Sequence, residues 1–365
     1  MSENESAGIH PLWVLATPVV AGAFVLGEHL HLFTIETMAM GILAAFLLIA
    51  TVFSAVHHAE AIALKIGEPL GSLVLAAAVT VIEVSLIITI MLASAGSGAD
   101  VARDTVFAAV MIVLTGIVGA CLLAGGIRHH EQGFQVSGAT GALSVLATLA
   151  TLTLVLPNFT VAVPGPYYST AQLVGVAAVS LALYFVFLFV QSVRHRDFFL
   201  DVNQGEEEGH PKPSAITTAT SVVLLLVALI AVVLLAEGLS PAVERFVFRA
   251  GLPASFVGVV IAGVILLPES IAAFRAARAN HLQRSLNLAL GSAMASIGLT
   301  IPSVAAASIL LDVPLGLGLE PEDTVLLILA LFTCTLTLAT GRTTVLQGGV
   351  HLVIFAVFLI IAAVP

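Results

Sequence analysis

Of 365 residues, 59% are hydrophobic and only 9% charged, with a mean hydropathy of +1.13; a soluble protein carries roughly a quarter charged residues, so a soluble globular fold is excluded. The formal net charge of −10 argues against nucleic-acid binding, and Cys121 and Cys334 both fall inside apolar runs, which does not indicate a disulfide scaffold. Solid apolar runs of about 20 residues predict an all-α polytopic membrane protein rather than a β-barrel built from short alternating segments.

MSENESAGIH, residues 1–10, lacks the basic flank of a secretory signal and reads as a short retained tail. Eleven spans are expected after it, at about 11–27, 33–56, 70–95, 104–127, 136–156, 169–192, 215–237, 251–274, 285–311, 323–340 and 344–364. With loops on alternating sides, Lys65, Arg128, Arg194, Arg196, Lys212, Arg275, Arg278, Arg284 and Arg342 share one side, and Arg103, Arg245 and Arg249 the other. The positive-inside rule then places the N-terminus in the cytoplasm and, with an odd span count, the C-terminus outside.

The longest polar stretch, DFFLDVNQGEEEGHPKPS at 197–214, carries the triplet Glu206, Glu207 and Glu208. A solvated linker is its commoner reading, and a cation-sensing regulatory segment the sharper one. It gives four parts: a tail and first span (1–32), a five-helix repeat (33–192), an acidic cytoplasmic linker (193–214) and a second five-helix repeat (215–365). The halves resemble each other. Ala59-Glu60 is followed by Gly67-Glu68-Pro69 and then Glu83; Ala236-Glu237 is followed by Gly251-Leu252-Pro253 and then Glu269. Because each repeat has an odd number of spans, the second enters the membrane from the opposite side, which makes an inverted repeat of the kind that builds alternating-access transporters.

Glu83 and Glu269 are the two acids that lie well inside spans. A charge at mid-membrane costs on the order of 3 kcal/mol, so acids at matching repeat positions point to function ahead of capping or a simple interhelical bond. Low dielectric favours a neutral, protonated carboxyl, whereas a bound cation stabilises the charged form. The pair therefore suits competition between protons and a hard cation such as Ca²⁺ or Na⁺, ligated by oxygen. Pro268 removes a backbone donor beside Glu269 and is expected to disturb that helix, either freeing carbonyls or merely kinking it. Thr80, Ser292 and Ser296 are further candidate ligands; for the serines, close helix packing competes. Asn287, near a span start, divides between capping and ligation. His57 and His58 read as a membrane-edge pair, and His351 as a satisfied polar contact in preference to a proton relay.

These motifs resemble the cation/proton exchanger family of the cation/Ca²⁺ exchanger superfamily, and within it the bacterial calcium/proton antiporters of the ChaA type. Leu70-Gly71-Ser72-Leu73-Val74-Leu75-Ala76 followed by Glu83 is similar to the family's first motif, with Val79-Thr80 in place of its Gly-Asn. Glu269 matches the second acid, with Ile265-Leu266 in place of Gly-Asn and Ser270 where many members have histidine. Ser285-Leu286, Ala289, Gly291-Ser292 and Ile301-Pro302 match the span after it, with Ala295 in place of the usual glutamine. Thr340-Gly341-Arg342-Thr343-Thr344 resembles a family turn. The resemblance implies an inner-membrane secondary transporter, not an enzyme, that expels Ca²⁺ against protons without a cofactor. Its partners would be the lipid bilayer, inorganic cations and protons, with homo-oligomerisation left open. An Na⁺/H⁺ or K⁺/H⁺ antiporter on the same scaffold is the nearest alternative; a passive cation channel and a membrane enzyme using His57, His58 and Glu60 are more distant ones.

Overall fold

The computed structural model describes residues 11–35, 37–67, 70–93, 98–200 and 213–365. The Glu206–Glu208 triplet and most of the acidic linker lie outside the described residues. The helices are α1 (Leu12–His29), α2 (Met38–Ile66), α3 (Leu70–Ala93), α4 (Val101–Met111), α5 (Val118–His129), α6 (Val136–Ala150) and α7 (Thr170–Phe189), then α8 (Ala215–Arg249), α9 (Phe256–Ile265), α10 (Leu267–Arg278), α11 (Leu282–Ala295), α12 (Ile301–Leu311), α13 (Pro321–Leu338) and α14 (Val345–Ala363). Short π-helical turns at Ile112–Ile117 and Ser296–Thr300 join α4 to α5 and α11 to α12 into single spans. Among the described residues, ten segments are long and apolar enough to cross a membrane, and the pair α9 and α10, bent by 58°, makes an eleventh when taken as one span, the number that the apolar runs predicted.

Two boundaries differ from expectation. Helix α2 runs on to Ile66, so His57, His58 and Glu60 sit on the helix instead of beyond its end. Nothing in that stretch breaks a helix until Gly67, whose φ of +80° only glycine adopts without strain. Helix α8 likewise continues past residue 237 to Arg249. Its 35 residues extend about 52 Å, beyond a hydrocarbon core of ~30 Å, so charged residues at its end need not face lipid.

The described residues form two compact units, one within Met1–Ile90 and Glu206–Ala250, the other within Met91–Gly205 and Gly251–Pro365. In the first, α1, α2 and α8 pack mutually around Ala21, Val25, Ala44, Leu47, Ala231 and Leu235. His58 is fully buried here, with Nδ1 3.3 Å from the Ser221 hydroxyl and Nε2 3.3 Å from the Val14 carbonyl, so one ring links all three helices. The expectation of a membrane-edge histidine is corrected: the longer α2 carries it inside.

In the second unit α4 packs on α9, α5 on α14, α10 on α11, α6 on α11 and α7 on α12. A Cβ on Gly119 would come within 2.9 Å of the His351 Cβ, so that glycine sets the close approach of α5 and α14. Strands β1 (Gln132–Gly133) and β2 (Arg342–Thr343) pair antiparallel, Gln132 opposite Thr343. At the other end of α6, the N–H groups of Leu317 and Gly318 donate to the Pro166 carbonyl, and that of Leu319 donates to the Leu154 carbonyl. The Asn158 amide donates to the Leu319 carbonyl at 2.6 Å.

These two pairings reveal the repeat. The loop after the third span of one half bonds the loop after the fourth span of the other, once at each end of the helices. Exchanging the halves also exchanges the ends, which is an inverted repeat: two five-helix repeats preceded by one extra helix.

Candidate functional site

Helix α3 positions Glu83. After Gly71 its sequence has no glycine or proline, and it stays continuous through Ala93. Val79, Ile82, Leu86 and Ile90 recur at helical spacing on its buried face, while Val81 is exposed. Glu83, at 2% exposure, lies on that face with Thr80 one turn before it, also buried. The sequence thus places an acid and a hydroxyl on the inward side of an otherwise apolar helix.

Glu269 is positioned differently. The chain breaks at Leu266, between α9 and α10, and Pro268 occupies the first turn of the new helix. Proline fits there because first-turn N–H groups have no intrahelical acceptor, and the proline ring denies the Val264 carbonyl its usual donor. The expected disturbance is therefore a break, not a gentle kink. Ser270 closes the turn, its hydroxyl and N–H both donating to the Leu266 carbonyl at 2.6 and 2.8 Å. Glu269 stands in this first turn, half-buried, where the helix dipole favours a negative charge.

The two acids occupy the corresponding span of each half. Each lies in the second span of its half, Glu83 in α3 and Glu269 in the first turn of α10, the second limb of the bent pair. Their helices differ in shape, one continuous and one broken.

Helix α11 packs against α10 and carries Ser292, half-buried, and Ser296, buried. Ser296 opens the π turn Ser296–Thr300, a geometry that releases a carbonyl from the regular ladder and recurs at functional sites. Asn287 is committed elsewhere. Its Oδ1 accepts from Gln283 at 2.9 Å, and its amide donates to the Phe199 carbonyl at 2.6 Å. It ties α11 to the segment after α7, two and a half turns before Ser296.

The sodium/calcium exchanger protein family matches residues 37–193 and again 220–364, one match in each half. The chain belongs to this family. Among the exchanger's relatives, "Putative ionic transporter y4hA" of Sinorhizobium fredii is 50% identical over 97% of both chains. The "Sodium-potassium/proton antiporter ChaA" of Escherichia coli is 35% identical over 88% of both. A Ca²⁺/H⁺ antiporter of Aphanothece halophytica is 26% identical over 91% of both. The fold is that of YfkE, with a TM-score of 0.71 at 17% identity, covering 97% of this chain and 99% of that one. The H⁺/Ca²⁺ exchanger CAX gives 0.64 at 14% identity, covering 95% and 88%. The motif resemblance is borne out, and the protein is a membrane antiporter of the cation/Ca²⁺ exchanger superfamily, a family of transporters.

One exchanger feature was not read from the sequence. Arg103, expected in a loop, lies in the first turn of α4 and is buried. Its Nε donates to Asp104 at 2.8 Å, and its Nη1 lies 3.4 Å from Asp100 and 3.6 Å from Glu320. Nη1 also donates to the Gly318 carbonyl at 3.2 Å. A cavity of about 190 Å³ beside it is lined by Glu322 and Asp323 as well as Asp104. The close spacing of Asp100, Arg103 and Asp104, and the run Glu320-Pro321-Glu322-Asp323, were the available signals; their meeting is non-local.

His351 is the satisfied contact expected of it. Fully buried, it places Nδ1 2.8 Å from the Leu114 carbonyl and Nε2 3.1 Å from the Thr337 hydroxyl. Leu114 lies in the π turn of the third span of the first half, so this turn supplies the acceptor. Both cysteines are free and buried.

Proposed function

We propose that the protein exchanges cytoplasmic Ca²⁺ for protons by alternating access, with Glu83 and Glu269 as the groups that hold either cation or proton. The observation that carries this reading is one acid in the second span of each inverted half, Glu83 buried and Glu269 half-buried. Glu83 is buried on an otherwise apolar helix face, and a carboxyl in low dielectric exchanges its proton for a cation that balances the charge. Thr80, Ser292 and Ser296 supply hydroxyl oxygens, which suit a hard cation. The first turn of α10 and the π turn at Ser296 supply carbonyls outside the regular ladder.

The exchanger sits in the inner membrane with its N-terminus cytoplasmic and its C-terminus outside, and draws its energy from the proton gradient with no resident cofactor. The acids beside Arg103 then face outward. The two five-helix repeats, 33–192 and 215–365, joined by the acidic cytoplasmic linker, are the moving parts. A second reading, Na⁺ or K⁺ exchange for protons, is favoured by the name of the 35% identical relative ChaA.

The test is proton release from acid-loaded everted membrane vesicles when Ca²⁺, Na⁺ or K⁺ is added separately. Release with Ca²⁺ that is lost in Glu83→Gln and in Glu269→Gln supports the proposal. Release with Na⁺ or K⁺ alone keeps the carboxylate mechanism and moves the substrate. Absence of cation-driven release by correctly inserted wild-type protein overturns it.

A further inference from the structure

A cavity of about 540 Å³ lies between α5, α10 and α14 in the second unit, apart from the acids beside Arg103. One wall is a single face of α10, on which Ser270, Phe274 and Arg278 recur every four residues. The facing wall is hollow because Gly116, Ala120 and Cys121 are small, and Phe355 of α14 closes the side. A Cβ on Gly116 would meet the Phe355 ring at 3.2 Å, so the glycine admits that ring.

The lining is apolar except toward one end, where Arg275 and Arg278 stand. Both are exposed, and neither forms an ion pair among the described residues. The Arg278 guanidinium lies 6.0 Å from the Phe274 ring centroid, and the Arg278 carbonyl is 3.0 Å from His129 Nε2, which fastens the end of α10 to the end of α5. Two guanidiniums and no acid make this a poor path for a cation. From Ser270 to Arg278 the wall spans about 12 Å, close to the ~15 Å of hydrocarbon in one leaflet. A pair of guanidiniums at the end of an apolar hollow of that depth matches a ligand with a phosphate head and a hydrocarbon tail.

We propose that this cavity binds one anionic phospholipid, its phosphate on Arg275 and Arg278 and an acyl chain against Phe274, Phe355 and the small residues of α5. Free phosphate would leave the apolar length unfilled, and a zwitterionic lipid would offset the charge that the guanidiniums recognise. The occupant rests on the helix whose first turn carries Glu269.

The test is native mass spectrometry of the full-length protein, purified in detergent and incubated with phosphatidylglycerol or phosphatidylcholine, with a thermal unfolding midpoint recorded for each variant. One phosphatidylglycerol retained at least about tenfold better than phosphatidylcholine is expected, a preference that Arg275→Gln with Arg278→Gln abolishes. Arg275→Lys with Arg278→Lys should keep part of it, and Arg342→Gln, an exposed guanidinium outside the cavity, all of it. Ala120→Phe, which fills the apolar part, should lose the lipid while the head-group arginines remain. Equal retention of the two lipids, wild-type retention by the double glutamine variant or by folded Ala120→Phe, or full displacement by inorganic phosphate would each overturn the proposal.

Discussion

Buried polar residues in this chain divide by what their partners leave over. Glu83 and Glu269 were legible as candidates because an acid in an apolar run has few structural uses, and each stands in the second span of its half. His58, read from the sequence as a membrane-edge residue, His351, read as a satisfied contact, and Asn287 have ring and amide atoms that meet carbonyls and hydroxyls of distant segments, which no local pattern announces. For His351 this makes a definite expectation. Replacement by Phe leaves the Leu114 carbonyl and Thr337 hydroxyl without their partner, at a cost of roughly 1–3 kcal/mol. Thermal unfolding of the purified variant should show that loss, while the pH dependence of exchange per folded molecule stays as in the wild type. A shifted pH profile at unchanged stability would make His351 a proton carrier instead.

At the scale of elements, hydropathy located every span but misjudged where helices end. It registers the loss of apolar residues, whereas a helix can continue through polar residues and, in α8, even through Pro241. Helix α2 therefore runs through its histidines to Gly67, and α8 carries Glu237, Glu244 and Arg245 to its end at Arg249. Although proline alone does not decide a break, since Pro18 and Pro241 lie inside α1 and α8, Pro268 marked where the break before Glu269 falls. Its effect on the site can be separated from its effect on stability. At a helix start proline is well tolerated, so Pro268→Ala should change the unfolding free energy by no more than about 1 kcal/mol. The alanine N–H can reach the Val264 carbonyl and draw α9 and α10 toward one helix. Exchange should then fall by about tenfold or more if the broken geometry presents Glu269 to the cation. Wild-type rates in the same vesicle assay would reduce the break to a packing feature.

For the whole molecule, the inverted repeat was visible as recurring motifs, but the contacts that express it were not. Strands of two residues and loops joined by single carbonyls leave almost no trace in composition, and Arg103 meets Glu320 across more than 200 positions of chain. This same loop cluster collects Asp100, Asp104, Glu320, Glu322 and Asp323 around one arginine at the end of the helices opposite β1 and β2. Five acids around one arginine leave a net negative charge, which attracts cations at long range and is weakened by salt screening. Glu322→Gln with Asp323→Asn spares the Arg103 ion pairs while removing two of the charges. At ~10 mM ionic strength, where the Debye length is about 30 Å, this variant should need several-fold more cation for half-maximal exchange from this side, with little change in maximal rate. At ~1 M, where that length falls to about 3 Å, variant and wild type should converge. Right-side-out and everted vesicles present the two ends in turn, so the defect should appear in one orientation and be absent in the other. A defect of equal size from both sides, or one that persists at high salt, would mean that these acids act inside the exchange cycle and not at its entrance.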